Sequence, residues 1–249
     1  MKPESHIVIE NLSKSFAASG EILHEININI TKGDFVVLLG PSGSGKSTLL
    51  RLIAGLEAAS FGTIKVSQKN NFDKGFVFQE AHLMPWRTLR ENVELPLKLM
   101  KVASSECKKK SLNALTQVAL EAAEALFPEE LSGGMKMRAS LARALVTEPG
   151  LLLLDEPFAA LDEQTRFRLG EDLRTLWLKH SMTIVFVTHS LHEACFLAER
   201  VLVLSQKPAK IAAEIKIDLP RVRTNALRTE MIFSEQLKKL YAAVESVQK

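Results

Sequence analysis

The residues with the clearest chemical content are Gly40-Pro41-Ser42-Gly43-Ser44-Gly45-Lys46-Ser47. They meet the pattern G-x-x-x-x-G-K-[ST], in which small residues let backbone N–H groups turn toward phosphate oxygens. The flanks are those the pattern requires. An apolar run, Phe35-Val36-Val37-Leu38-Leu39, precedes it, and helical periodicity at Leu49, Leu50, Ile53 and Leu56 follows. A helix N-terminus adds a favourable dipole potential for an anion. Lys46 is positioned to reach the β- and γ-phosphates and the Ser47 hydroxyl to ligate Mg²⁺, with Thr48 beside it in the first helical turn. The chemistry implied is nucleotide binding.

Other polar residues stand where buried strands should end. Asp155 and Glu156 follow four leucines, 151–154. In open α/β sheets ligands gather at the carboxyl ends of strands, which brings both acids toward the phosphates. One carboxylate can hold Mg²⁺ while the next, pointing elsewhere, polarises an attacking water. Without the phosphate loop, a solvated turn would explain the pair equally well. Gln79 closes the strand expected at 75–78, and His189 closes the one at 183–187, with Thr188 between. His192 lies three residues beyond His189, but no further ligand converges by spacing to make a metal site. Leu131-Ser132-Gly133-Gly134-Met135 opens a helix, with Ser132 as a natural N-cap and two glycines that admit a close neighbour. Read alone, it is a capped helix start.

These residues need a scaffold, and the chain has room for one. Its 249 residues suffice for one large α/β domain with a smaller insertion. Hydrophobic content of 46% and charged content of 24% are those of an ordinary globular protein. A net charge of +3 gives no argument for nucleic acid, and Lys108-Lys109-Lys110 reads as a solvated helix face. Two distant cysteines, Cys107 and Cys195, imply a reducing compartment rather than a disulfide framework. The start at Met1 is polar and unlike a signal peptide, and no segment has the ~20 apolar residues of a membrane helix.

Period-two patterning predicts strands at 7–9 and 26–30, and short strands are expected at 62–66 and 75–78. Helices are expected over 46–56, 111–127, 135–146, 163–179 and 227–244, with 201–204 and 212–217 as edge strands. The segment from about 81 to 135 reads as a helical insertion, and 208–249 as a short C-terminal extension, within a single domain. Strand–helix–strand alternation favours a parallel sheet wrapped by helices.

Taken together, the chain resembles the ATP-binding subunits of ATP-binding cassette (ABC) transporters along nearly its whole length. The resemblance implies an α/β P-loop NTPase (RecA-like) core, an N-terminal antiparallel β subdomain and an inserted helical subdomain. It implies ATP and Mg²⁺ as cofactors. Asp155, Ser47 and Gln79 would attend the metal, Glu156 would be the general base, and His189 would contact the γ-phosphate. Phe16 would stack on adenine, with a core role as its rival. Ser132, Gly133 and Gly134 would bind ATP held by a second copy packed head to tail, and the loop ending at Asp162 would cross that interface.

Met135, Ala160 and Ser190 depart from common family residues, which puts rate and dimer affinity in question. Leu83-Met84-Pro85-Trp86 with Asn92-Val93 looks like the importer branch for nitrate, sulfonate and taurine. That branch implies membrane permease subunits, a solute-binding protein and a peripheral place on the cytoplasmic face of the inner membrane. A lipid- or export-linked ABC ATPase and a soluble ABC ATPase of repair or translation are the alternatives.

Overall fold

The computed structural model describes residues 4–68, 70 and 73–248, so residues 1–3 of the polar start lie outside the described residues. Near the N-terminus, β1 (Ser5–Phe16) and β2 (Gly20–Thr31) pair antiparallel. Ile26, Ile28 and Ile30 are buried while Asn27 and Asn29 face outward, the alternation of a sheet covered on one face. After these strands come β3 (Phe35–Leu39) and α1 (Lys46–Ala54), and then β4 (Phe61–Val66) joins the other edge of β1.

The second sheet takes β3 into its interior. Its order is β5-β6-β7-β3-β8-β9, with β5 (Lys74–Val77), β6 (Leu151–Asp155), β7 (Thr183–Thr188), β8 (Arg200–Leu204) and β9 (Ile211–Lys216). The first five strands in that order run parallel, and β9 runs antiparallel to β8. Every residue of β3, β6 and β7 is buried, which explains why these segments read as unbroken apolar runs. Their side chains still alternate between two cores. Phe35, Val37, Leu152, Leu154, Ile184 and Phe186 face one, and Val36, Leu38, Leu151, Leu153, Val185 and Val187 face the other.

On the second of these faces α1 lies over β6 and β7. The first face is covered by α5 (Glu163–His180) and α6 (Leu191–Leu197). The segment from 89 to 145 carries α2 (Leu89–Leu99), α3 (Ser104–Gln117) and α4 (Gly133–Leu145), packed on one another. Pro96 is tolerated inside α2, whose start is fixed by a capping box between Thr88 and Glu91. At the end of the chain, α7 (Met231–Gln248) packs against α6. Among the described residues no helix is long and apolar enough to cross a membrane.

Several expected elements differ. The helix expected over 111–127 starts earlier, at Ser104, and stops at Gln117. Ala119 takes φ 53°, and the turn it makes sends Leu120 and Ala123 back into the core. Helix α2 has no counterpart in the expected set. Strand β8 is not an edge strand, because it pairs with β3 on one side and β9 on the other. The terminal helix begins at Met231, and Asn225–Thr229 before it is a 3₁₀ turn. Both cysteines are free and buried, and burial pushes the Cys195 thiol up to about 12.

The C-terminal segment is held to the core by arginines rather than by apolar contact alone. Arg223, buried, donates to the carbonyls of Phe196 (2.9 Å) and Ala198 (2.8 Å) and, less closely, Cys195 (3.3 Å). These are carbonyls that the C-terminal end of α6 leaves without helical donors. Arg223 and the buried Arg174 share Glu199 Oε1, at 3.0 and 2.7 Å. Arg174 also donates to the carbonyl of Arg221 and lies 4.6 Å from the Trp177 ring centroid. Removing Arg223 leaves the Phe196 and Ala198 carbonyls without that donor while Glu199 keeps Arg174, at a cost of about 1–3 kcal/mol. Arg223→Ala should therefore lower the denaturant midpoint by that equivalent. An unchanged midpoint would show that the C-terminal segment is not anchored here.

Candidate phosphate and water-activating site

The C-terminal ends of the parallel strands deliver the functional residues to one edge of the sheet. After β3 the chain turns through Gly40, where a Cβ would meet the Leu204 carbonyl oxygen at 2.9 Å, so only glycine fits beside β8. Gly45 sits at φ 88°, and a Cβ there would meet Ile22 at 2.7 Å and Leu23 at 2.9 Å. Two glycines of the motif thus answer to close packing as well as to phosphate access. Within the loop, Ser44 N donates to the carbonyl of Pro41 at 3.2 Å. The buried Ser44 hydroxyl oxygen makes no hydrogen bond. Ser42 and Gly43 are exposed at the tip, and Ser47 and Thr48 are half-buried in the first turn of α1.

Lys46 is buried and folds back over this loop. Its Nζ donates to the carbonyls of Gly40 (2.9 Å) and Pro41 (2.8 Å). Burial pulls its ammonium below the ordinary lysine value, opposed by the charges of Glu156 and Asp155. Ser47 Oγ donates to Asp155 Oδ1 at 2.7 Å, joining the phosphate loop to the end of β6 across the intervening β7. Burial raises the Asp155 carboxyl. The Ser47 hydrogen bond and the charges of Arg51 and Lys46 act against that shift, while Glu156 adds to it. A hydroxyl and a carboxylate in contact offer the hard oxygen donors that Mg²⁺ prefers.

Glu156 follows in a left-handed conformation, φ 45°. A non-glycine residue held there is strained and persists only where its surroundings enforce it. Its N–H is held by the carbonyl of Val187 on the neighbouring strand at 3.1 Å. The turn lets Asp155 contact Ser47 while Glu156 Oε2 lies 3.0 Å from His189 Nδ1. Asp155 is buried, Glu156 intermediate and His189 exposed, so a buried acid and an accessible acid–imidazole pair sit side by side. His192 does not join them, and its ring lies against Phe233.

Gln79 is exposed just beyond β5, the strand beside β6. Phe16 ends β1, 37% exposed and outside the core, with Lys14 Nζ 4.5 Å from its ring centroid. Ser132 accepts from Met135 N at 3.3 Å and caps α4, and Gly133 beside it is exposed. A Cβ on Gly134 would meet Thr165 at 2.9 Å. That contact brings the start of α4 against the start of α5, where Asp162 accepts from Thr165 N at 2.9 Å. Both capped starts therefore sit beside one another, and the 159–162 loop that leads into α5 is tied to the site where Ala159 N donates to the Glu156 carbonyl at 3.2 Å.

Motif reading named Asn92 only as part of the branch pattern and missed Arg143, and these two residues hold the segment 80–88. Asn92, buried, accepts from Met84 N at 2.7 Å and donates to the carbonyls of Met84, Arg87 and Thr88. Arg143 donates to the carbonyls of Ala81 and His82, both at 2.7 Å. The loop so braced leaves Trp86 71% exposed. An asparagine set among the apolar positions Leu89, Val93 and Leu97 was the available signal.

A family model described as ABC transporter matches residues 23–159. The chain is 45% identical over 222 residues to the nitrate import ATP-binding protein NrtD of Synechocystis, covering 86% of this chain and 84% of that one. It is 40% identical over 246 residues to the aliphatic sulfonates import ATP-binding protein SsuB of Bacillus cereus, covering 96% of each. Among solved structures, a dimeric ATP-binding cassette in a post-hydrolysis state, bound to ADP and Pi, superposes with a TM-score of 0.75. It shares 33% identity and covers 86% of this chain and all of that one.

The raised Asp155 carboxyl has a stability consequence whose sign is fixed. Burial disfavours the ionised form in the folded state, so the penalty is present above the folded value and fades as pH falls through it. Nucleotide-free Asp155→Asn should therefore melt above the wild type at about pH 7, with the gap closing toward about pH 4. Thermal melts across that range check it, and a gap that widens on acidification would contradict the burial assignment.

Proposed function

This chain belongs to the ABC transporter family of ATP-binding subunits, and from that premise we propose that it powers import of a small anion, such as nitrate or a sulfonate, through separate membrane subunits. It is an ATPase, and cassettes of this family work as dimers on membrane permeases. The solute class rests on one observation, the 40–45% identity over most of the chain to subunits named for nitrate and sulfonate import. A solute-binding protein on the far side of the membrane goes with that reading, as does a peripheral position on the cytoplasmic face.

The roles we assign follow from the contacts. ATP phosphates occupy the loop of residues 40–48, and Lys46 exchanges the carbonyls of Gly40 and Pro41 for phosphate oxygens. Ser47 and Asp155, with Gln79 beside them, are suited to hold a Mg²⁺ that when bound offsets phosphate charge. Glu156 takes a proton from the attacking water, which its accessibility and strained turn favour over the buried Asp155. His189, 3.0 Å from that carboxylate, orients it and reaches toward the γ-phosphate. Phe16 offers an exposed ring for adenine. Ser132, Gly133, Gly134 and Asp162 act on the ATP of a second copy, consistent with their place together at the largely exposed starts of α4 and α5. The braced loop with Trp86 outward carries closure to the membrane subunits.

General-base catalysis contributes ~10²–10⁴-fold. Glu156→Gln should keep ATP binding, accumulate as an ATP-bound dimer in sizing experiments and lose turnover by that factor. Wild-type turnover would exclude Glu156 as the base. Ser132→Arg should stop hydrolysis with monomer ATP affinity unchanged, and normal turnover there would exclude the shared site. Purification from the native membrane in mild detergent should recover a multi-spanning protein. ATPase of that assembly in vesicles should rise with nitrate or an alkyl sulfonate, and no response to either would remove the solute class.

A further inference from the structure

The turn that carries His189 is held from behind by Thr188, Ser190 and Glu193. Thr188 Oγ1 donates to Glu193 Oε2 at 2.6 Å and accepts from Ser190 N at 3.0 Å, closing a loop across His189. Ser190 Oγ accepts from Glu193 N at 3.3 Å and caps α6. The other oxygen of Glu193, Oε1, faces Arg166 Nε at 3.4 Å. Among the described residues that buried Nε makes no hydrogen bond, and this carboxylate is the charge it faces. Arg166 Nη2 in turn donates to the carbonyl of Leu161 at 2.8 Å, one residue before Asp162.

A continuous set of contacts thus runs from the 159–162 loop through Arg166 on α5 and Glu193 on α6 to the peptide N–H that follows His189. Ala159, Arg166, Glu193 and His189 also wall one small cavity with Glu156. Glu193 is buried in the fold, and ion pairs in such places seldom stabilise more than well-packed apolar residues would. Their geometry is what they supply, since a carboxylate with two fixed oxygens holds two partners at set angles.

We propose that Glu193 and Arg166 are positioning residues that set the angle of His189 against Glu156 and transmit to it the state of the 159–162 loop. The proposal rests on the assignment of His189 to the γ-phosphate and of the 159–162 loop to the interface with a second copy. When a second copy settles on that loop, the Leu161 carbonyl moves Arg166, and the Glu193–Thr188 contact carries the displacement to the His189 turn. Hydrolysis then responds to dimer closure through the interior of one chain, in addition to the groups the partner supplies.

The test uses the full chain and reads both turnover and the turn itself. Thr188→Val keeps the branched shape of the strand residue and removes the hydroxyl that joins Ser190 N to Glu193. We expect kcat to fall about ten- to a hundredfold, the cost of a small misplacement, with the KM for ATP within about twofold of wild type. Thr188→Ser should restore kcat. Amide hydrogen exchange at Ser190 should quicken in Thr188→Val, Glu193→Gln and Arg166→Met alike, although Arg166 does not touch that amide. Unchanged Ser190 exchange in Arg166→Met overturns the link to the loop. A kcat in Thr188→Val equal to wild type, or a loss that Thr188→Ser fails to restore, overturns the positioning role. Glu156→Gln run in parallel separates the two readings. If it turns over normally the assigned base is wrong, while Ser190 exchange still decides this proposal.

Discussion

Parallel pairing of β3 between β7 and β8, with β6 beyond β7, is the constraint on which the site depends. Leu39 lies opposite Thr188, and Asp155 opposite Val187. Parallel strands in register end on one side, so a phosphate loop after β3, an acid after β6 and a histidine after β7 need no special arrangement to meet. A shift of one residue would exchange every buried side chain between the two cores, which none of these largely apolar strands could survive without repacking both. Register is therefore held by packing, and packing holds the chemistry.

Around that edge the fold accepts local costs that packing alone would not select. Glu156 sits at positive φ, Asp155 is buried with its carboxyl raised, and Lys46 is buried with its ammonium lowered. The two charges of opposite sign are partly compensated by each other and by Ser47, Gly40 and Pro41. A left-handed turn between consecutive acids is what gives them different exposures and different contacts. Two carboxylates with one backbone between them thereby become one buried acid and one accessible acid.

The same theme of charge placed for geometry recurs away from the site. Arg174 and Arg223 converge on Glu199 and close the exposed carbonyl end of α6. At the other end of α6, Ser190 and Glu193 cap it and Thr188 ties it to β7. This seven-residue helix is fastened at both termini, one to the His189 turn and one to the C-terminal segment. A helix that short has little stability of its own, so its fastenings decide its position.

Much of this was legible in the residues. The phosphate loop is a contiguous motif, and its flanking strand and helix follow from apolar periodicity within a few residues. Asp155, Glu156, Gln79 and His189 stood out because each lies at the end of a strand-like apolar run, and the structure places them at or just beyond the ends of β5, β6 and β7. What failed was non-local. The run 201–204 carries no mark of whether one or two neighbours pair with it, and β9 on its far side made it interior. Ala, Leu and Glu composition continues past Gln117, but burial of Leu120 and Ala123 required the turn at Ala119. Glu193 and Arg223 belong to no motif, and the branch pattern that contains Asn92 does not say what that residue holds, since such partners lie far off in sequence or depend on side-chain direction. The sequence alone determined the phosphate-binding chemistry, because backbone N–H groups and a helix start are local. Tertiary structure decided which acid is buried and what holds His189, because burial and hydrogen-bond partners exist only once distant strands have paired.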